Sequence, residues 1–247
     1  MAGVLESFGK YALLMRRVFS RPEKKRVYYP LITEEMMKIG VQSVGIVALL
    51  AFFMGAVVAL QTASNIESGW IPKWTVGYTT KQTMIYEFSS TIVALVLAGK
   101  VGSNIASEIG TMRISEQIDA LDIMGVNSAS YLILPKLIAA LFILPFLVLM
   151  AMFIGIGAGA LIAVLTNIVS LTDFIYGIQY DFQIYGVIYS LIKTLFFAFI
   201  LTTIPAFHGY YAHGGALEVG KSSTKGVVYS MVAVMVANYI LTQLLLL

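Results

Sequence analysis

Residues 137–172 read LIAALFILPFLVLMAMFIGIGAGALIAVLTNIVSLT and carry no charged side chain. As a helix rising about 1.5 Å per residue, this stretch is long enough to run past the ~30 Å hydrocarbon core of a bilayer. Charges are also absent between Lys38 and Glu67. Because lipid offers backbone groups no hydrogen-bond partner outside the helix, these stretches predict an all-α integral membrane protein.

The composition agrees with membrane insertion. Of the 247 residues, 59% are hydrophobic and only 12% are charged, about half the charged share of a soluble domain. Cysteine is absent, which excludes disulfides and thiol chemistry. The net charge of +3 does not predict nucleic-acid binding, because the basic residues cluster beside the apolar stretches, where they indicate topology and lipid headgroups.

The hydropathy pattern predicts an N-terminal interfacial helix followed by five membrane spans. Over residues 3–21, apolar side chains recur at helical spacing with basic residues opposite, and Leu13 and Leu14 are exceptions to the rhythm. An amphipathic helix packed on a protein partner is the alternative. The predicted spans are 41–61, 82–103, 133–165, 184–206 and 227–246.

The loops predict the orientation of the chain. Basic residues are concentrated before the first span, whereas the loop after that span carries Trp70, Trp74 and Tyr78, which are typical of a membrane–water interface. The positive-inside rule therefore predicts a cytoplasmic N-terminus and, with five spans, a C-terminus on the opposite side.

The most charge-rich segment between two spans is AGKVGSNIASEIGTMRISEQIDALDIMG, residues 98–125. Its pattern predicts a break at Gly110 and a short helix over 112–124, with Gly125 as the C-terminal cap. One face would hold Ile114, Ile118, Leu121 and Met124, and an acidic face would hold Ser115, Glu116, Asp119 and Asp122. Such a helix can present acid to a soluble motor protein, although a surface helix without a partner fits equally well.

Residues 98–125 resemble the characteristic segment of the MlaE-type permease family, with matches at most positions from Ala98 to Val126. Lys100 stands where the family commonly has arginine. A second segment, GYYAHGGALEVGKSSTKGVVYS at 209–230, is similar to the family's second conserved pattern. Together with the five-span layout, the resemblance covers almost the whole chain.

This resemblance implies a homodimeric, non-catalytic permease subunit in a bacterial inner membrane, without a cofactor, that moves phospholipid between inner and outer membranes. A related protein of an organelle envelope is the alternative. The partners it implies are an ABC ATPase subunit, an MCE-domain periplasmic protein and, in some systems, a STAS-domain protein. Residues 108–125 would then hold the cytoplasmic coupling helix that contacts the ATPase. The ATPase-coupling residues that the resemblance assigns are Glu108, Arg113, Glu116, Gln117, Asp119, Ala120, Leu121, Met124 and Gly125.

The octapeptide GALEVGKS, residues 215–222, matches the phosphate-binding pattern G-x-x-x-x-G-K-[ST]. That loop needs a preceding buried strand, a following helix and a soluble α/β domain. Here one predicted span ends just before the octapeptide and another begins just after it. The match is therefore interpreted as coincidental.

Lys193 interrupts the fourth span and has two interpretations. An unpaired ammonium within a span costs several kcal/mol. In the first interpretation Lys193 pairs with an anion, which is either Glu87 or a lipid phosphate. In the second, its apolar stem lies along the span and its charged end extends to the interface. Aromatic side chains in the first two spans are candidates for the wall of an acyl-chain cavity, although packing against neighbours is their commoner role. The predicted lipid-binding residues are Phe52, Phe53, Tyr86, Glu87, Phe88 and Lys193.

Two other functions remain open on the residues alone. A self-contained secondary transporter of a lipophilic solute would need ionisable residues near mid-membrane in paired repeats, and Lys193 is the single candidate. A membrane enzyme would need clustered acids, bases or metal ligands at one interface, and no catalytic or metal-binding cluster stands out.

Overall fold

The computed structural model describes residues 2–20, 25–66 and 71–246. All regular structure within these residues is helical. Trp70 and Arg21, which belong to the predicted aromatic loop and interfacial helix, lie outside the described residues. The helices are α1 (Ala2–Phe19), α2 (Arg26–Asn65), α3 (Thr75–Ile114), α4 (Gln117–Ile123), α5 (Ser128–Leu165), α6 (Leu171–Gln179), α7 (Ile184–Tyr210) and α8 (Ala216–Leu246).

Five of these helices, α2, α3, α5, α7 and α8, are long and apolar enough to cross a membrane. The prediction of an all-α membrane protein with five spans is confirmed. Each predicted span lies inside one of these helices, and every helix extends beyond its span at one end or both. A helix satisfies its own backbone hydrogen bonds, so it continues into the polar residues that flank an apolar stretch.

Helices α2 and α3 are interrupted by π-helical turns at Met37–Val41, Met84–Ile92 and Ala98–Gly102. A π-helical turn shifts the register of the side chains that follow it, and such turns occur often at functional sites. The turn at Met84–Ile92 carries three of the predicted lipid-binding residues. Periodicity analysis at 3.6 residues per turn does not predict these interruptions.

The chain divides into two compact units. Unit 1 comprises the described residues of Met1–Gln42, Ala94–Ile143 and Phe196–Ile240. Within it, α1 buries Leu14 and Val18, and the Tyr11 hydroxyl hydrogen-bonds that of Thr203 at 2.8 Å. Leu14, an exception to the predicted apolar rhythm, is therefore a core residue, whereas Phe8 from that rhythm is exposed. One side of α1 packs on protein, and its exposed side remains available for the predicted membrane interface.

Unit 2 comprises the described residues of Ser43–Val93, Leu144–Leu195 and Leu241–Leu247. Here α2 and α5 approach so closely that a Cβ on Gly55 would collide with the carbonyl of Gly155. A Cβ on Gly159 would lie 2.8 Å from the Thr80 side chain and 3.2 Å from the Gly55 carbonyl oxygen. Gly155 and Gly159, which match the small-xxx-small spacing of close helix pairs, therefore permit this approach, because a larger residue at either position would separate the helices.

Candidate functional site

The segment between the second and third spans forms a bend in unit 1. We call residues 113–125 the elbow. Helix α3 runs without a break through Gly110 and ends at Ile114, and α4 begins at Gln117. Glu116 between them has a φ of 58°, a left-handed conformation that reverses the chain without a glycine. The predicted break at Gly110 and single helix over 112–124 are therefore wrong, since Gly110 is buried within α3 near Val219.

Helix α4 is fixed to unit 1 by one apolar side chain and two ion pairs. Ile118 is fully buried, as its place on the predicted apolar face requires. The Arg113 guanidinium lies 2.7 Å from Asp119, and the Arg17 guanidinium of α1 lies 2.9 Å from Asp122. Burial raises the pKa of the Asp122 carboxyl, but hydrogen bonds from Ser128 and Arg17 outweigh burial, so this pKa lies below its ordinary value.

The end of α4 is a Schellman motif. The Val126 N–H donates to the Leu121 carbonyl at 3.1 Å, and the Gly125 N–H donates to the Asp122 carbonyl at 3.1 Å. Gly125 has a φ of +80°, which a side chain would disfavour. The predicted C-cap role of Gly125 is confirmed.

The exposed surface of the elbow is less acidic than predicted. Asp122 is half-buried and paired with Arg17, which leaves Glu116 and Asp119 as the exposed carboxylates of the predicted acidic face. Met124 is 68% exposed, although the pattern placed it on the apolar, inward face. Ile123, which belongs to neither predicted face, is 87% exposed. Gln117 and Ala120 are also exposed, and Leu121 is half-buried. The elbow therefore presents two exposed carboxylates beside an apolar edge.

Glu108 lies in a charge cluster within unit 1. Its carboxylate is 2.7 Å from the ammonium of Lys136, which is only 3% exposed and also contacts the buried Glu35 at 2.7 Å. Glu35 and Glu108 line a cavity of about 350 Å³ together with Lys38 and Lys100. Sequence pattern does not predict this cluster, because Glu35 and Lys136 are separated by 101 residues.

Lys193 lies in unit 2 and is fully buried. Its ammonium contacts a Glu87 carboxylate oxygen at 3.1 Å, the Tyr86 carbonyl at 3.2 Å and the Tyr189 hydroxyl at 3.2 Å. Of the two predicted interpretations, pairing with Glu87 is confirmed, and extension of the side chain to the interface is wrong. The Glu87 side chain is 38% exposed, so this ion pair is open on its carboxylate side.

Only some of the predicted aromatic residues lie near the ion pair of Lys193 and Glu87. The Tyr86 ring lies 5.7 Å from the Tyr189 ring, which completes the surroundings of Lys193. Phe88 instead lines a separate space of about 10 Å³, room for one water molecule at most. Phe52 and Phe53 contact each other edge to face at 5.6 Å. Among the described residues, no ring contact or hydrogen bond joins Phe52 or Phe53 to Lys193.

The octapeptide at 215–222 does not form a phosphate-binding loop. From Ala216 onward it is the start of α8, and the preceding element is helix α7. The lysine of the pattern, Lys221, contacts Glu218 at 2.6 Å within the same helix. A phosphate-binding loop instead needs its backbone N–H groups free to surround the phosphates.

Comparisons with known proteins extend over almost the whole chain. A model of the family described as Permease MlaE matches residues 32–244. A probable ABC transporter permease protein of Rickettsia bellii is 33% identical over 239 residues, which cover 97% of this chain and 92% of that protein. The intermembrane phospholipid transport system permease protein MlaE of Haemophilus influenzae is 28% identical, with coverages of 94% and 89%. The chloroplastic protein trigalactosyldiacylglycerol 1 of Arabidopsis thaliana is 29% identical, with coverages of 94% and 66%.

Proposed function

Since this chain belongs to the MlaE permease family, we propose that it is the permease subunit of an ABC transporter that moves phospholipid between the inner and outer membranes of a bacterium. The chain itself is a multi-pass membrane permease. In the proposed transporter, ATP is hydrolysed by a separate subunit, and this chain contributes no catalytic group.

The observation that carries the proposal is the construction of the elbow. Ile118 and the ion pairs of Asp119 and Asp122 hold α4 against the rest of unit 1. The opposite side of α4 leaves Ile123 and Met124 in contact with solvent. A rigid element with an exposed apolar edge suits a contact with a motor subunit, because force passes through a stiff connection and the apolar side chains become buried on binding.

The proposed assembly follows the family. Two copies of this chain form a homodimer in the inner membrane, with an ABC ATPase pair at the cytoplasmic face. An MCE-domain protein receives or delivers lipid in the periplasm, and a STAS-domain protein regulates some such systems. We propose that the N-terminus and the elbow lie in the cytoplasm, and that the C-terminus faces the periplasm.

The pair formed by Lys193 and Glu87 is the proposed contact for the phospholipid headgroup. Its ammonium is kept within unit 2 by Tyr86 and Tyr189, and its carboxylate is partly open. An anionic phosphate can therefore approach Lys193 from the Glu87 side and replace part of that contact.

Co-purification of the ATPase subunit tests the proposed function. The chain is expressed together with its ATPase, with Glu116→Lys and Met124→Glu combined on the exposed side of the elbow. We expect the amount of bound ATPase to fall roughly tenfold, since buried apolar and charged contacts dominate an interface of this kind. Glu6→Lys is the matched control: it reverses an exposed carboxylate on α1, about 16 Å along the helix from Arg17, and should retain the ATPase.

Two outcomes would contradict the proposal. The first is full recovery of the ATPase with the elbow variant. The second is transfer of phospholipid by the chain alone in vesicles that contain no ATPase, which would favour a self-contained secondary transporter.

A further inference from the structure

Unit 2 also contains a groove that is separate from the surroundings of Lys193 and is lined mostly by apolar residues. Its volume is about 380 Å³, within the range of ligand-binding pockets. The wall comes from α3, α5 and α6 and from residues near the start of α7. Apolar residues and a glycine form this wall apart from one lysine: it comprises Lys81, Ile85, Leu149, Met152, Phe153, Ile156, Gly157, Ile178, Phe182 and Val187.

Lys81 lacks a carboxylate within ion-pair distance among the described residues, although the nearby Asp181 carboxylate interacts with it electrostatically at longer range. The side chain is 2% exposed, and no Asp or Glu among the described residues forms an ion pair with it. Its ammonium donates instead to the carbonyls of Tyr180 at 2.7 Å and Asp181 at 3.4 Å, and lies 4.8 Å from the centre of the Tyr78 ring. An ammonium has three N–H donors, and these carbonyls account for two of them.

The sequence position and the aromatic neighbours of Lys81 indicate the headgroup level of a bilayer. The residue directly precedes the predicted span 82–103. Close to it, the tilted rings of Trp74 and Tyr180 pack with their centres 4.5 Å apart, and tryptophan and tyrosine are enriched where a membrane meets water. The exposed rings of Phe153 and Phe182 extend the same surface along the apolar wall. A positive charge at one end of an apolar groove is complementary to a lipid with an anionic headgroup.

We propose that this groove binds one phospholipid molecule, whose phosphate pairs with Lys81 and whose acyl chain lies along α5. The site is separate from the ion pair of Lys193 and Glu87, and shares none of its contact residues. The proposal requires only that the chain is embedded in a membrane. It therefore stands or fails independently of ATP-driven transport.

Photo-crosslinking of the full chain tests the groove. The protein is held in maltoside micelles, which contain no phosphate, and is given phosphatidylglycerol with a diazirine in one acyl chain. Mass spectrometry of the peptides then locates the label. We expect label on residues 149–157, and roughly tenfold less label with Lys81→Met, because a charge-assisted contact to the phosphate is lost. A diacylglycerol with the same diazirine chain, which lacks the phosphate, should label this wall equally weakly.

A second variant keeps the test decisive if Lys81→Met does not fold. Gly157 lines the groove, and a Cβ there meets no atom within 4 Å, so Gly157→Leu fills the groove without disturbing the helices. Gly45→Leu is its matched control: this glycine has the same open space on α2, away from the groove. We expect Gly157→Leu to lose the label and Gly45→Leu to retain it. Unchanged labelling in Gly157→Leu, or equal labelling by diacylglycerol, would overturn the proposal.

Discussion

Lys136 in unit 1 and Lys193 in unit 2 are both buried lysines on long apolar helices, yet their surroundings differ. Lys136 contacts two carboxylates, Glu35 and Glu108, each at 2.7 Å. Lys193 contacts one, Glu87, at 3.1 Å, and completes its shell with uncharged oxygens of two tyrosines. Lys136 is thus balanced by two carboxylates, whereas Lys193 has one, and its three N–H donors are engaged by Glu87, Tyr86 and Tyr189. A phosphate at Lys193, as proposed above, would have to replace the Glu87 contact.

The largest expected effect follows from Lys136→Met. This substitution leaves Glu35 buried beside Glu108 without the cation between them, and removing one member of a buried ion pair costs roughly 3–5 kcal/mol of unfolding free energy. Thermal unfolding in detergent would measure the loss. Lys38→Met is the control, because Lys38 is exposed and lies 3.8 Å from Glu35, so its loss should cost less than about 1 kcal/mol.

Lys193→Met should affect stability less and lipid binding more. Glu87 lies at the surface of unit 2 and keeps its hydrogen bond from Thr91 at 3.3 Å, so we expect a loss of about 2 kcal/mol. Native mass spectrometry should show less bound phospholipid. The neighbouring Thr194→Val removes only a hydrogen bond within the helix and should keep the lipid. Equal destabilisation by Lys136→Met and Lys193→Met would remove the distinction between the two sites.

The smallest effect concerns an ion pair at the protein surface. The pKa of Asp122 is lowered in the folded protein, so its pairing with Arg17 stabilises the fold above the unfolded-state pKa of about 4. That contribution is lost as the pH falls through the lower, folded-state pKa. Because both side chains are partly exposed, it amounts to less than about 1 kcal/mol. Hydrogen exchange of α4 at pH 7 should be faster in Asp122→Asn than in the parent chain, and no change would show that the pair does not hold the elbow.

The sequence predicts the helices that carry the candidate sites better than it predicts which side chains contact each other there. Glu87 and Lys193 were recognised as a possible pair because few charged residues occur within spans, so the choice of partners was small. The pair of Glu35 and Lys136 is not predicted in this way, because both residues lie at the ends of apolar stretches, where charged residues are common. Ile123 was missed because helical periodicity assigns faces only within one straight helix, and the left-handed Glu116 redirects α4.

The class of protein, its five spans and its family resemblance were determined by the sequence alone, since apolar length and local motifs are properties of neighbouring residues. Which ammonium meets which carboxylate was decided only by the tertiary structure. Lys136 and Lys193 reach Glu35 and Glu87 across 101 and 106 residues of chain. The direction of the elbow and the surroundings of Lys81 likewise depend on how helices pack, and hydrophobic periodicity along one helix carries no information about the side chains of another.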